Sequence, residues 1–288
     1  MADRADPTLA ALQASFQFSQ SSLQDYQDCR RRFQLRYILD FAWPAVESEP
    51  ALENERFLQQ GALFHRLAQQ YLVGVPEERL RSFIQDDDMR RWWEDFVDFV
   101  EQAGLFSIAA LRPELSLTAP LGAHRLAAKY DLIAARGEGR FTIYDWKTTR
   151  RLPTRKKLAV RLQTRVYPYL FVLAGQGLNG GQKIDPGSVE MVYWFAGSSG
   201  KQVVFPYSAL QFERDGAFLS SLVTEIAGLD RDEFQLTTEE SRCAYCVYRS
   251  LCDRGEQAGA LAELDELLAE GDAGDVSIDF EQIAEIEF

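Results

Sequence analysis

A chain of 288 residues, 46% hydrophobic and 12% aromatic, carries enough apolar side chain for a sizeable core, as one large domain or a core with an appendage. No apolar run approaches the ~20 residues that span a bilayer, and the opening MADRADPTLAALQ lacks the basic-then-apolar pattern of a secretory leader, so a cytoplasmic setting without membrane contact is expected. The net charge of −13 argues against a nucleic-acid partner only at first sight: the 11 acids of residues 255–288, unmixed with Lys or Arg, leave −2 for residues 1–254.

In chain order, a Ser-Gln-Ser-Ser cap opens a helix within 17–39, on which Leu23, Tyr26, Phe33 and Tyr37 form one apolar stripe and Cys29 sits mid-helix. A second helix covers 55–73, with Leu58, Leu63, Leu67 and Leu72 apolar and His65 among them; an acidic third covers 86–102. The period then changes. Residues 114–119, 125–135 and 140–147 alternate or run apolar at strand length, with Gly122 and Gly137-Glu138-Gly139 as turns, which predicts a three-stranded antiparallel meander. Helical spacing returns over 155–175, strands follow at 188–196 and 201–207, and a helix covers 208–228. Residues 1–18 read as an extension, 19–254 as a single domain and 255–288 as an acidic tail suited to disorder or to docking on a protein partner. Gly200-Lys201 lacks the upstream glycine of a phosphate loop, so no ATP site is expected.

Three cysteines lie in CAYCVYRSLC, with C-x2-C-x5-C spacing at Cys243, Cys246 and Cys252; Cys29 is more than 200 residues earlier. In a reducing compartment this spacing points to metal: four thiolates can close a zinc site or hold an iron–sulfur cluster. Basic residues cluster at Arg30, Arg31, Arg32 and Arg36, either a solvated face or a phosphate contact. They cluster again at Lys147, Arg150, Arg151, Arg155, Lys156, Lys157, Arg161 and Arg165, where phosphate binding is the better reading.

Within YDWKTTR, Asp145 and Lys147 are two apart on a strand and share a face. Asp131, on the preceding strand, approaches Asp145 only with a register offset or a bulge. Two carboxylates at close range repel unless a cation lies between them, which suits Mg²⁺ or Mn²⁺; an imidazole beside them, with His65 the candidate, favours Mn²⁺.

Together these motifs resemble the RecB-type branch of the PD-(D/E)XK nucleases, above all members with a four-cysteine iron–sulfur cluster such as the AddB nuclease domain and CRISPR-associated adaptation exonucleases. The residues that carry the likeness are Gly61 to His65 on a helix, Pro113-Glu114 opening a strand, Asp131 in the next, Asp145 and Lys147 in the third, Gln163 and Tyr167 on the following helix, and the four bracketing cysteines. The chain departs from the pattern at Ala128, commonly Gly, and at Arg30, usually Pro; neither removes a ligand.

The resemblance implies an α/β fold with a mixed central sheet flanked by helices, and a cluster stapling the first helix to the C-terminal segment. It implies a divalent-metal-dependent deoxyribonuclease, exonucleolytic on single strands or DNA ends, working in DNA repair, recombination or CRISPR adaptation. His65, Asp131 and Asp145 would hold Mg²⁺ or Mn²⁺, Lys147 would orient water and offset phosphate charge, and Glu114 would serve as an outer or second-metal carboxylate. Gln163, Arg155, Lys156, Arg161 and Arg165 would track the DNA backbone, with Tyr167 stacking on a base. A 4Fe–4S cluster is favoured over zinc by the resemblance alone. The alternative is a non-catalytic DNA-end-binding scaffold subunit, a reading that normally accompanies a lost ligand or lost Lys.

Overall fold

The computed structural model describes residues 12–13, 15–41, 51–108, 110–148 and 152–255. A two-residue strand β1 (Gln17–Phe18) leads into α1 (Gln20–Asp28), where Ser19 and Ser22 form a reciprocal capping box that satisfies the first free N–H groups. The expected continuous helix breaks at Cys29, which is extended (φ −161°, ψ 110°) between α1 and α2 (Arg30–Phe33), itself continued by a π-turn over Gln34–Ile38. Then come α3 (Ala51–Leu72), a short α4 (Glu77–Arg81) that the pattern did not announce, and α5 (Asp87–Gln102), capped by Asp86 through the Met89 amide.

The meander is present as β2 (Ala110–Leu121), β3 (His124–Gly137) and β4 (Arg140–Lys147), with β3 antiparallel to both of the others. The helical stretch after β4 is broken at Arg161 into α6 (Arg155–Val160) and α7 (Leu162–Ala174). β5 (Val189–Phe195) pairs parallel with β4, as a helical crossover allows, and β6 (Lys201–Pro206) antiparallel with β5, before α8 (Ala209–Ala227) closes the layer. The result is a mixed α/β fold. β4 and β5 are buried on both faces, which is why they read as near-continuous apolar runs.

One core, with Phe33, Leu126, Tyr130, Ile143, Tyr167 and Leu219, lies between the sheet and α1, α7 and α8. The other, with Phe64, Trp93, Phe96, Trp146 and Trp194, lies between the opposite face and α3 and α5. Two features of this frame create a gap. Along β3, Leu126, Ala128 and Tyr130 face the first core, but Leu132 and Ala134 face the second. The alternation slips at Asp131. On β2 it slips between Leu111 and Leu115, around Glu114, whose φ is +53° in the middle of a strand. Pairs Pro113↔Leu132 and Leu115↔Tyr130 place Glu114 and Asp131 at the same level.

On its other edge β3 pairs with β1 at Arg125 and Leu126 and with β4 only from Leu132 onward, leaving the edge open at Asp131. The offset that the two aspartates require is supplied by a bulge: Gly137 pairs with Arg140, but Ala135 pairs with Phe141, so Arg136 is the extra residue. Continued beyond Leu132↔Tyr144, that register sets Asp131 level with Asp145. Arg136 is tied to β4 through Thr142 (2.7 Å) and the Tyr144 hydroxyl, and Thr142 in turn donates to Glu190 of β5 (2.9 Å).

No helix among the described residues is long and apolar enough to cross a membrane.

Candidate active site

The open edge of β3 gathers most of the sequence-predicted residues. α3 is pinned to the sheet by Phe64, which stacks on Trp194 (5.9 Å between centroids), and this delivers the next residue, His65, to the gap. His65 Nδ1 lies 3.1 Å from Asp131 Oδ1, and Asp131 Oδ2 accepts the Trp146 amide at 2.6 Å, an N–H left without a strand partner where β3 and β4 part. One carboxylate therefore joins helix and sheet. His65, Glu114 and Asp131 each offer a ligand atom within 4.8 Å of the others. This group includes Glu114 and not Asp145.

Asp145 sits beside it, on the α7 side of β4. Its Oδ2 is 2.9 Å from Lys147 Nζ, and its Oδ1 accepts from Gln163 Nε2 at 2.5 Å. The Lys147 ammonium also lies 5.8 Å from the centre of the Tyr193 ring. The role of Gln163 as the group that orients Asp145 was not legible from spacing, nor was the Trp146 amide.

Electrostatically the two carboxylates diverge, as paired titratable groups at working sites often do. Burial pushes Asp145 up to about 6, against the Lys147 charge and with the help of the Asp131 charge. Burial also acts to raise Asp131, but the charge and hydrogen bond of His65 and the Trp146 amide outweigh it and hold it below the usual range. For His65, burial acts to lower the value, and the Asp131 carboxylate more than reverses it. Buried His65 Nε2 has no hydrogen-bond partner among the described residues, so this nitrogen is available to a ligand. An imidazole and two carboxylates are a donor set for a hard divalent cation, and they fit Mg²⁺ or Mn²⁺.

The expected DNA-tracking set is not brought together. Tyr167 is 1% exposed, its ring 4.9 Å from Tyr130 in the first core, so it cannot stack on a base. Gln163 and Arg161 are buried as well. Arg155 donates to the Val204 carbonyl (2.6 Å) and lies over Phe205, and Arg165 lies over Phe218, 3.7 Å from Asp215; Lys156 is exposed. Arg150 and Arg151 fall outside the described residues. As a core residue, Tyr167 replaced by Ala should cost about 3–5 kcal/mol of stability in urea denaturation. The salt dependence of DNA binding should not change.

Three arginines of the first basic cluster are paired with acids of the chain itself. Arg32 bridges Asp25 and Asp28 at 2.7 Å each, Arg30 pairs with Glu225 at 2.6 Å, and Arg36 reaches Asp25 at 3.5 Å. These partners hold the surroundings of a second site. Cys29, Cys243, Cys246 and Cys252 line one cavity, with Arg32, Arg242 and Arg249 around them. Burial pushes the Cys246 thiol up to about 11, against the Arg32 charge, and raises Cys243 and Cys252 as well. A metal would therefore have to displace protons here. The N-terminal helices and C-terminal segment are also joined without sulfur: Gln34 donates to the Arg231 carbonyl (2.6 Å), Phe33 stacks on Phe234 (6.1 Å), and the Tyr248 hydroxyl donates to the Phe41 carbonyl (3.1 Å).

Comparison with known proteins bears on this arrangement. A family model described as PD-(D/E)XK nuclease superfamily matches residues 17–253. Among solved structures, a protein from Eubacterium rectale named "Putative exonuclease" superposes with a TM-score of 0.53 over 86% of this chain and 92% of its own, at 8% identity. SSO0001 superposes with a TM-score of 0.40 over 85% of this chain and 89% of its own, at 14% identity. No curated protein sequence matches. The family match takes in every described strand and the whole of the gap in which His65, Glu114, Asp131, Asp145 and Lys147 meet, and the chain belongs to the PD-(D/E)XK nuclease superfamily.

Proposed function

We propose that the protein is a divalent-metal-dependent deoxyribonuclease of the RecB type that hydrolyses phosphodiester bonds, acting exonucleolytically on single strands or DNA ends. The observation that carries this reading is the meeting of His65, Glu114 and Asp131 in the gap beside the Asp145–Lys147 pair. His65 and Asp131, with Glu114 or Asp145 completing the set, would hold Mg²⁺ or Mn²⁺. That ion would polarise the phosphodiester and make water a stronger nucleophile at neutral pH. Lys147, paired with Asp145, would orient the attacking water and offset charge on the phosphoryl oxygens. Gln163 keeps Asp145 aimed. DNA as substrate, and a role in repair, recombination or CRISPR adaptation, follow from the family pattern.

Cys29, Cys243, Cys246 and Cys252 fit a four-thiolate metal group, read as a 4Fe–4S cluster, that ties the N-terminal helices to the C-terminal segment. The division into an extension (1–18), one domain (19–254) and an acidic tail (255–288) belongs to the same proposal. Beyond Gly255 the tail lies outside the described residues. If it occupies a basic groove of the near-neutral body, deleting it changes DNA affinity at low salt.

The test uses anaerobically purified protein and end-labelled single- and double-stranded DNA, with Mn²⁺, Mg²⁺ or EDTA, and a visible spectrum taken alongside. Brown protein that cuts with metal and stops with EDTA is expected. Brown protein that binds DNA ends and never cuts would sink the nuclease reading in favour of the scaffold. Colourless, zinc-containing protein would replace the cluster by zinc.

The pH dependence has a defined sign. His65 and Asp145 are both raised in the fold, so each contributes stability present at low pH and lost as pH rises through its folded value, about 6 for Asp145. Asp131, lowered, acts below the ordinary carboxylate range and outside this window. Metal must displace the proton on His65, and that on Asp145 as well where Asp145 completes the set, so Mn²⁺ should raise the melting temperature more at pH 7.5 than at pH 5.5. Equal shifts at the two pH values would contradict the assignment.

A further inference from the structure

Lys129 stands outside every role described so far, yet its ammonium pairs with Glu114 Oε2, one of the ligand atoms' own carboxylates. Glu114 is held in the left-handed region at φ +53°, a conformation that a non-glycine residue keeps in a strand only where its surroundings impose it. The imposed turn puts its carboxylate level with Asp131 and near His65. Lys129 reaches it diagonally, from the β3 position that pairs with Ser116. The two partners differ in access. The Glu114 side chain is 16% exposed and the Lys129 side chain 50%, so the carboxylate belongs to the site and the cation to its rim.

A carboxylate neutralised by an ammonium is a poorer ligand for a divalent cation. An ammonium on the rim has a second anion available whenever a phosphodiester backbone lies across the gap. We propose that Lys129 couples metal binding to DNA binding: without DNA it holds Glu114 and weakens the site for metal, and a backbone phosphate draws it away and releases Glu114. The substrate class is a polyanionic phosphodiester chain. By linkage, DNA tightens metal binding by the same factor as metal tightens DNA binding. The inference rests on the metal-site reading above.

The experiment measures Mn²⁺ affinity by electron paramagnetic resonance on the full chain, with and without a cleavage-resistant phosphorothioate single strand. Variants are Lys129→Met, which keeps the apolar stem, Glu114→Gln, and the double. Lys129→Met should tighten Mn²⁺ about 3- to 10-fold without DNA, the scale of one nearby charge at the surface. It should also abolish the further tightening caused by DNA. In the Glu114→Gln background, Lys129→Met should change nothing. Equal shifts in both backgrounds, or DNA-induced tightening that survives Lys129→Met, overturn the proposal while leaving the nuclease reading intact. A wild type that neither binds Mn²⁺ nor cuts overturns that reading and this inference with it. Lys129→Gln, checked by thermal melting, repeats the measurement should Lys129→Met fold poorly.

Discussion

Asp131→Asn should lower metal-dependent cleavage by three orders of magnitude or more, about 4 kcal/mol of transition-state stabilisation. The substitution keeps size and shape, so the amide oxygen can still accept the Trp146 N–H that Asp131 Oδ2 takes at 2.6 Å. What changes is the atom facing His65. A negative oxygen 3.1 Å from Nδ1 becomes an N–H₂ donor, and the metal group loses one of its two carboxylates. The imidazole also loses the partner that reverses the effect of burial, so its titration should fall below that of the wild type. Single-turnover cleavage and an NMR titration of the imidazole check both halves. The fold should survive, because the imidazole, no longer raised by Asp131, sheds its proton and leaves no unpaired buried charge. Cleavage within tenfold of wild type would remove Asp131 from the metal site.

Much of this frame is legible in the sequence because it depends on local chemistry. The change from helical period, ending at 102, to strand period, read from 114, marks the meander, whose first strand begins at Ala110, and the shared face of Asp145 and Lys147 follows from a period of two. The need for an offset between Asp131 and Asp145 was visible, and the bulge at Arg136 meets it. Other features depend on contacts that spacing cannot report. Gln163 and Tyr167, four apart, do share a helix side, but nothing in that interval says whether the side meets solvent or sheet. It meets the sheet, which makes Gln163 a partner of Asp145 and Tyr167 a core residue. The arginines at 30–36 looked like a free cationic run because some of their acids, such as Glu225, lie nearly 200 residues away. The extended residue at Cys29 interrupts an unbroken apolar stripe, and no helix-breaking residue marks it.

Lys147→Ala is expected to slow cleavage about 10²–10³-fold at neutral pH, the range for removing one preorganised group that meets developing charge. The loss has two sources that pH separates. One is direct: the ammonium 2.9 Å from Asp145 no longer orients water or faces the phosphate. The other acts through Asp145, whose carboxyl burial already pushes to about 6 while the Lys147 charge opposes that push. Without the lysine the opposition disappears, and the folded value moves further up. A raised carboxyl holds its proton over a wider pH range, so metal must compete with it at pH 7 where in the wild type the proton has largely gone. The variant should therefore need more Mn²⁺ for half-maximal activity at pH 7 than at pH 8.5, and its activity profile should move to higher pH. Saturating Mn²⁺ at high pH should recover the second part of the loss and leave the first. A variant whose defect is the same at every pH and Mn²⁺ concentration would mean that Lys147 acts on the phosphate alone. A variant fully restored at high pH would mean that its sole task is to keep Asp145 ionised.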